Sequence, residues 1–429
     1  MKHILTILIF IIPFCLFADY KTDSLINIVH EYEKKVHFES DTNYINALID
    51  VAEEFKRIQP DTSLLFSDKA YELSKKHGYP KGVFQSLLIK ASYYIGAGDT
   101  EKQLEIANEM LPIAEETDRR LLNSVYNIFG TAYVTKGLSD RVHYIKAEEM
   151  FKKALSIAEE YNDIVRSITI LGNLGCVHIG QSDNTSALEV FYRAVNLAEK
   201  HHPEYNTSIL LYNMALIYQL QDRFDQALIE AHKGIEVAKK NNDIIQLGRC
   251  LYLAGEVYQN QNKIDEALDY INRSVDIFGQ LGLIKRAALA KEVLVDIYIK
   301  QELLDKALVA AYEILEIWEA IDGSDYDIVF TKLKIARIYY SQKQYAPAMK
   351  ICNEVLASEI NNLRAFNTLH GMMSQIYEAQ NNKMKALEHY KLYKAYSDSL
   401  HNSDFDERII ELEAQNKYEK KEIDRKSVV

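Results

Sequence analysis

Small and apolar positions recur along this chain at a fixed distance. Leu174-Gly175, His178, Ala187, Phe191 and Ala194 set a frame that returns 40 residues later as Met214-Ala215, Tyr218, Ala227, Ala231 and Gly234. It returns again as Ala254-Gly255, Tyr258, Ala267, Ile271 and Ser274, and then as Leu294-Val295, Tyr298, Ala307, Ala311 and Ile314. Alanines 187, 227, 267 and 307 keep the 40-residue step without drift. Two further units follow with slight slips, one with Ala336, Tyr339, Ala348 and Cys352, the other with Ser374, Tyr377, Ala386 and Tyr390. Upstream, Phe129-Gly130, Tyr133, Ala147, Phe151 and Ala154 fit with five extra residues in the turn. Weaker units lie around Ala91, Tyr94 and Ala107, and around Val51, Ser63 and Ala70.

A fixed period of this length is the mark of a stacked repeat, in which no unit buries its apolar face alone. The spacing within each unit is that of two helices joined by a turn. Polar turns such as Gln221–Asp225 and Asn260–Asp265 precede each alanine, and Asp225 and Asp265 are the expected N-caps of the second helix. Forty residues less two short turns leave helices of about 17 residues, or roughly 25 Å each.

These residues resemble the tetratricopeptide repeat (TPR) family, whose pattern is L-G-x2-Y followed by A-x3-F in a helix–turn–helix. The expected fold is all-α: a right-handed superhelical TPR solenoid of about nine helix–turn–helix repeats with a long period. The small residues let helix backbones approach, and the tyrosines 94, 133, 218, 258, 298, 339 and 377 are expected in the core between units.

The resemblance also implies a function. In this family the first helix of each unit lines a concave groove, so the expected partner is a protein or peptide lying there. Asn173 and Asn213 each stand two residues before the small position, where an asparagine in the family can hold the backbone of an extended peptide. Tyr212, Arg249, Tyr252 and Glu256 are expected on the same face. Arg249 matches one basic position of the family's carboxylate-gripping site. Gly172, Cys176 and Leu253 replace three of its other polar groups, so that site is not expected here.

The ends of the chain differ from the array. Lys2 precedes an apolar run from Ile4 to Phe17, closed by the small Ala18. This reads as a secretory signal peptide over 1–18, since the run is short for a membrane span and contains Pro13. The expected location is therefore exported, periplasmic or associated with the cell envelope. The array is expected over 19–400 and a charged helical stalk or tail over 401–429, where Phe405, Ile409 and Leu412 keep a helical spacing. Self-association through that C-terminal helix is a further expectation. The junction around Tyr396–Leu400 and Glu411–Gln415 resembles bacterial membrane-anchored regulators that place an exported repeat array ahead of a stalk, one membrane helix and an output domain. The implied role is a sensory ectodomain, with the reading frame continuing past Val429. A free-standing envelope scaffold is the alternative, and an enzyme of unrecognised type the outsider.

Composition narrows the partners. Without residues 1–18 the chain carries 49 basic against 62 acidic residues, a net −13, with no Lys/Arg-rich block, so nucleic acid is not an expected partner. No transmembrane helix is expected after residue 18. Cys176, Cys250 and Cys352 have neither disulfide nor metal spacing and are expected as buried thiols. His201-His202 before Pro203 reads as a helix end, not a metal site. No phosphate-binding loop, zinc-protease helix or nucleophile elbow is present, so no catalytic residue, cofactor or metal is expected. The insertion within Gly137–Ile145, with Arg141, His143 and Tyr144, is expected as a lengthened turn rather than a recognition loop.

Overall fold

The computed structural model describes residues 20–400 apart from 36–37, 57, 139, 322 and 359–361. The expected signal peptide over 1–18 and the charged segment 401–429 lie outside the described residues. Among the described residues there are helices and turns and no strand. The helices fall into two compact units that divide between Gln181 and Ser182.

In the first unit, α1 (Tyr20–Glu33) leads into α2 (Thr42–Phe55) and α3 (Pro60–Lys76), α4 (Pro80–Ala97) and α5 (Thr100–Thr117), then α6 (Leu122–Gly137) and α7 (Val142–Glu160). Each of these packs against the next, and α8 (Ile164–Gly180) closes the unit against α7. The second unit opens with α9 (Asn184–His201) and runs through α10 (Ser208–Leu220), α11 (Phe224–Lys240), α12 (Ile244–Asn260), α13 (Ile264–Gln280), α14 (Ile284–Lys300) and α15 (Leu304–Ala320). It ends with α16 (Asp325–Ser341), α17 (Tyr345–Leu356), α18 (Leu363–Ala379) and a last helix, α19, over 383–400. Helices α8 and α11 to α16 are each 17 residues long, as the period requires.

The frame read from the sequence is the core. Ala187, Ala227, Ala267 and Ala307 are fully buried, as are Phe151, Phe191 and Ile271 at the position four residues on. Small residues stand opposite them for a steric reason. A Cβ on Gly130 would sit 2.5 Å from the Phe151 ring, and one on Gly255 would sit 2.6 Å from the Ile271 side chain.

The turns repeat as regularly as the helices. Asp222, Asn262, Glu302, Lys343 and Asn381 each adopt φ between 56° and 61°, the left-handed conformation that ends a helix. The next residue's N–H then reaches back to the carbonyl of the signature tyrosine: Arg223 to Tyr218 at 2.8 Å, Lys263 to Tyr258 at 2.9 Å, Leu303 to Tyr298 at 2.9 Å, and likewise at Tyr339 and Tyr377. Asp225 and Asp265 are not the N-caps expected of them. The caps are Arg223 and Lys263, and the aspartates sit two places after them, in the first turn, where a negative charge still favours the helix N-terminus. Asp225 accepts from Gln261 Nε2 of the next pair at 3.2 Å, and Asp305 from Gln342 Nε2 at 2.9 Å, so these acids join neighbours. Side-chain caps come instead from Asp99, Asp163, Asp183 and Asp243.

The insertion after Gly137 is split between the turn and a 19-residue α7. Tyr144 is buried there, filling the space left by Gly137 and Gly180, whose Cβ atoms would lie within 2.8 Å of its ring. Cys250 and Cys352 are buried thiols, and burial pushes both up to about 12. Cys176 departs from expectation and is exposed, because its place on α8 faces away from the buried Leu174 and Val177. The single tryptophan, Trp318, is buried on α15 against α16, and its indole Nε1 meets no acceptor among the described residues.

Candidate functional site

The six residues expected on the groove face are all half-buried on first helices of their pairs. Asn173 belongs to the first unit, on α8. Its amide donates to Asn127 Oδ1 of α6 at 2.9 Å, so part of its hydrogen-bonding capacity is already used within the array. The other five belong to the second unit, Tyr212 and Asn213 on α10 and Arg249, Tyr252 and Glu256 on α12.

Two of the expected associations form. The Arg249 guanidinium lies over the Tyr212 ring at 4.1 Å, and its Nη1 donates to Gln246 Oε1 at 3.3 Å. Stacking fixes the planar fork at little entropic cost. No carboxylate pairs with Arg249 among the described residues. One turn along the helix, Tyr252 donates to Glu256 Oε1 at 2.7 Å. Burial raises the Glu256 carboxyl, and hydrogen bonds from Tyr252 and Gln219 offset part of that rise. The same burial raises the Tyr252 phenol, and the nearby Glu256 carboxylate adds to it.

Sequence reasoning missed the continuation of this stripe. Lys334 of α16 bridges two carboxylates of α14, at 3.3 Å from Glu292 and 3.0 Å from Asp296. The first-helix face of the second unit therefore presents a stacked arginine, a carboxyl in a desolvated pocket with a phenol, and a lysine held between two acids. Fixed polar groups of both signs on half-buried ground suit the recognition of an extended polar chain. They supply no nucleophile–base pair, and no group of three metal-ligating side chains occurs among the described residues.

A second row of residues was also missed, although the 40-residue step carries it. Tyr192, His232 and Tyr312 stand 40 and 80 residues apart on second helices. Each meets the signature tyrosine of the next pair: Tyr192 to the Tyr218 hydroxyl at 2.9 Å, His232 to Tyr258 at 3.3 Å, and Tyr312 to Tyr339 at 3.1 Å. These bonds correct the expectation that the signature tyrosines are core residues throughout. Tyr218 is 5% exposed, but Tyr94, Tyr133, Tyr258, Tyr298, Tyr339 and Tyr377 are half-buried. A phenol is most stable with its ring packed and its hydroxyl at a polar edge. Cations cover several of the outer ring faces, among them Lys102 over Tyr94 at 4.7 Å and Arg223 over Tyr218 at 4.5 Å.

The frame is interrupted between α9 and α10. Residues 202–207 are irregular and α10 is 13 residues long. Lys240 holds this segment through the Pro203 carbonyl at 3.1 Å, and Asn206 ties it to Asp243 at 2.7 Å. Beside it opens a cleft of about 540 Å³ with Leu211, Ile229 and Val237 on its apolar side and Glu199, Lys233 and Glu236 on its polar side. His201 ends α9 and His202 follows it as the cap, pairing with Glu204 at 3.2 Å.

The paired helices, the small-residue contacts and the polar first-helix stripe define a helical-repeat array of tetratricopeptide type. The chain belongs to the MalT-like TPR region family, which residues 86–395 match. No curated protein matches it. Among solved structures, the apo form of RapI shares 13% identity over 83% of this chain and 98% of its own, with a TM-score of 0.62. A Rap protein complexed with Competence and Sporulation Factor shares 15% identity over 84% and 99%, with a TM-score of 0.54. Aspartyl phosphate phosphatase F from Bacillus subtilis shares 13% over 83% and 94%, with a TM-score of 0.52. At these identities the likeness is one of fold. Among the described residues no helix is long and apolar enough to cross a membrane.

Proposed function

We propose that this chain is a non-catalytic array that binds a peptide or an extended protein segment along its first-helix face, and that it serves as the exported sensory region of a bacterial membrane signalling protein. The observation that carries the binding reading is Arg249, stacked on Tyr212 and given no carboxylate by its neighbours. A cation so held is prepared for an anionic group that the array does not itself supply. Beside it the Glu256 carboxyl, which accepts from Tyr252 and Gln219, keeps further lone pairs for a peptide N–H. The fold likeness to a Rap protein complexed with a factor agrees with this reading. The export and signalling parts rest on the signal-like run over 1–18 and on the junction after Tyr396.

Selection of a displayed random-peptide library on the purified protein tests the site. Peptides enriched on the wild type should lose at least tenfold in affinity with Arg249→Ala, in protein whose circular dichroism shows it folded. Enriched peptides that bind Arg249→Ala as tightly as the wild type refute the proposed face. The exported location is tested separately, by mass spectrometry of the envelope fraction for a new N-terminus near Asp19. Intact Met1 on cytoplasmic protein would refute it.

A further inference from the structure

The junction between α18 and α19 is built unlike any other in the second unit. Five rings form a continuous stack across it. Phe366 lies against Tyr396 (5.5 Å between centroids, 20° between planes) and Tyr396 against His370 (5.7 Å, 5°). His370 lies against His389 (5.2 Å, 25°) and His389 against Tyr377 (5.4 Å, 16°). Phe366, His370 and Tyr377 belong to α18, and His389 and Tyr396 to α19.

At the centre of the stack the Nδ1 atoms of His370 and His389 are 3.0 Å apart. A hydrogen bond at that distance needs one nitrogen to carry a proton and the other to be bare, so at least one ring of the docked pair is neutral at Nδ1. His370 is only 5% exposed, which leaves it little water to solvate a charge. The charges that bear on the pair are few. His370 feels His389 alone, and His389 feels Glu388, which favours its protonation, and Lys385, which opposes it. Lys385 in turn lies over the Tyr377 ring at 5.2 Å. The rest of the junction is modest: Asn367 donates to the Tyr393 carbonyl at 3.0 Å and Ser374 to the Ala386 carbonyl at 2.9 Å. The opposite side of α19 is open, with Met384 85%, Leu387 55% and Tyr390 53% exposed.

We propose that the stacked His370–His389 pair is a protonation-sensitive latch that docks α19 on α18 when neutral and releases it when both rings are charged. Two imidazolium ions cannot share the Nδ1–Nδ1 contact. Charging the second ring replaces a hydrogen bond by a like-charge contact in a poorly solvated place. Both rings are held below the ordinary histidine value of 6.5, chiefly by burial. A base whose folded value is depressed stabilises the docked state fully above its unfolded value, and that contribution is lost as pH falls through the lowered folded values. Docking should therefore be complete above about pH 7 and weaken below about pH 6. The released segment is the one that leads toward residues 401–429, so the latch would couple acidity to whatever follows the array.

Hydrogen exchange of the full chain at pH 8 and pH 5, corrected for intrinsic exchange rates, tests this. Amides of 383–400 should lose at least tenfold protection at pH 5 relative to amides of α14 and α15, which contain no histidine. The variant His389→Phe keeps a ring in the stack and should abolish that loss. Equal protection of 383–400 at both pH values overturns the proposal, as does a His389→Phe chain that still loses it. Should His389→Phe leave α19 undocked even at pH 8, an NMR titration of the two wild-type imidazoles decides. The pair must take up its second proton below 6.5, and a pair that already holds both protons at that value overturns the latch.

Discussion

Replacing Gly255 by alanine should destabilise the protein, whereas the same change at Gly279 should stabilise it. Both glycines lie in helices of one pair, Gly255 on α12 and Gly279 near the end of α13. In a helix interior alanine gains up to about 1 kcal/mol over glycine by propensity alone, and roughly half that near an end. At Gly279 a new Cβ meets nothing within 4 Å, so the gain should appear undiminished. At Gly255 the Cβ would fall 2.6 Å from two atoms of the Ile271 side chain and 3.3 Å from its backbone nitrogen. Ile271 is fully buried and β-branched, with one strongly preferred χ1 rotamer in a helix, so it yields poorly. Overpacking of this kind costs about 1–3 kcal/mol, which exceeds the propensity gain. The expected net effect is a loss of up to about 2 kcal/mol at Gly255 against a gain of roughly 0.5 kcal/mol at Gly279. Urea unfolding followed by circular dichroism measures both. Equal stabilisation by the two substitutions would mean that α12 and α13 do not approach as described and that the small-residue rule fails here.

The turns offer a second test. Glu302→Gly and Lys343→Gly should each raise stability by about 0.5–1 kcal/mol in the same assay, because both residues sit at φ near 60°. Asn262→Gly should change little, since asparagine tolerates that conformation already, and an equal gain at all three would point away from backbone strain. Tyr218→Ala should cost about 3–5 kcal/mol and Tyr258→Ala, half-buried, roughly 2 kcal/mol, measured as shifts of the urea midpoint. Tyr218→Phe should cost about 1 kcal/mol for the hydroxyl contact with Tyr192, and no change would show that the contact is only proximity. Asp243→Ala removes both the cap of α12 and the anchor of Asn206, and should cost about 1–2 kcal/mol with faster exchange of amides in 202–207.

The fold was legible because a stacked repeat writes its packing rule many times over. Ala187, Ala227, Ala267 and Ala307 each say little alone, but their common spacing identifies a helix–helix contact whatever the surrounding residues. The caps were harder to place. Asp225 and Asp265 have the right chemistry two positions too late, and only the left-handed residue before Arg223 and Lys263 sets where each helix begins. The half-burial of Tyr258 and Tyr339 was hidden for a related reason. Spacing tells which face a ring occupies, not whether its hydroxyl ends beside His232 or Tyr312 at an edge. In the candidate site, the pairing of Arg249 with Tyr212 spans two helices that the frame aligns, so proximity could be anticipated. The bridge from Lys334 to Glu292 and Asp296 depends on side chains reaching between neighbouring pairs, which periodicity alone does not specify.

Trp318 has a practical consequence. As the single indole of the chain, buried on α15, it is a local reporter: its fluorescence follows the packing of α15 against α16, while the far-ultraviolet dichroism averages every helix. Stacked helix pairs held mainly by their neighbours need not melt together. Two urea midpoints, one optical and one dichroic, that fail to coincide would mark a chain that unzips pair by pair, and their separation would measure how strongly one pair depends on the next.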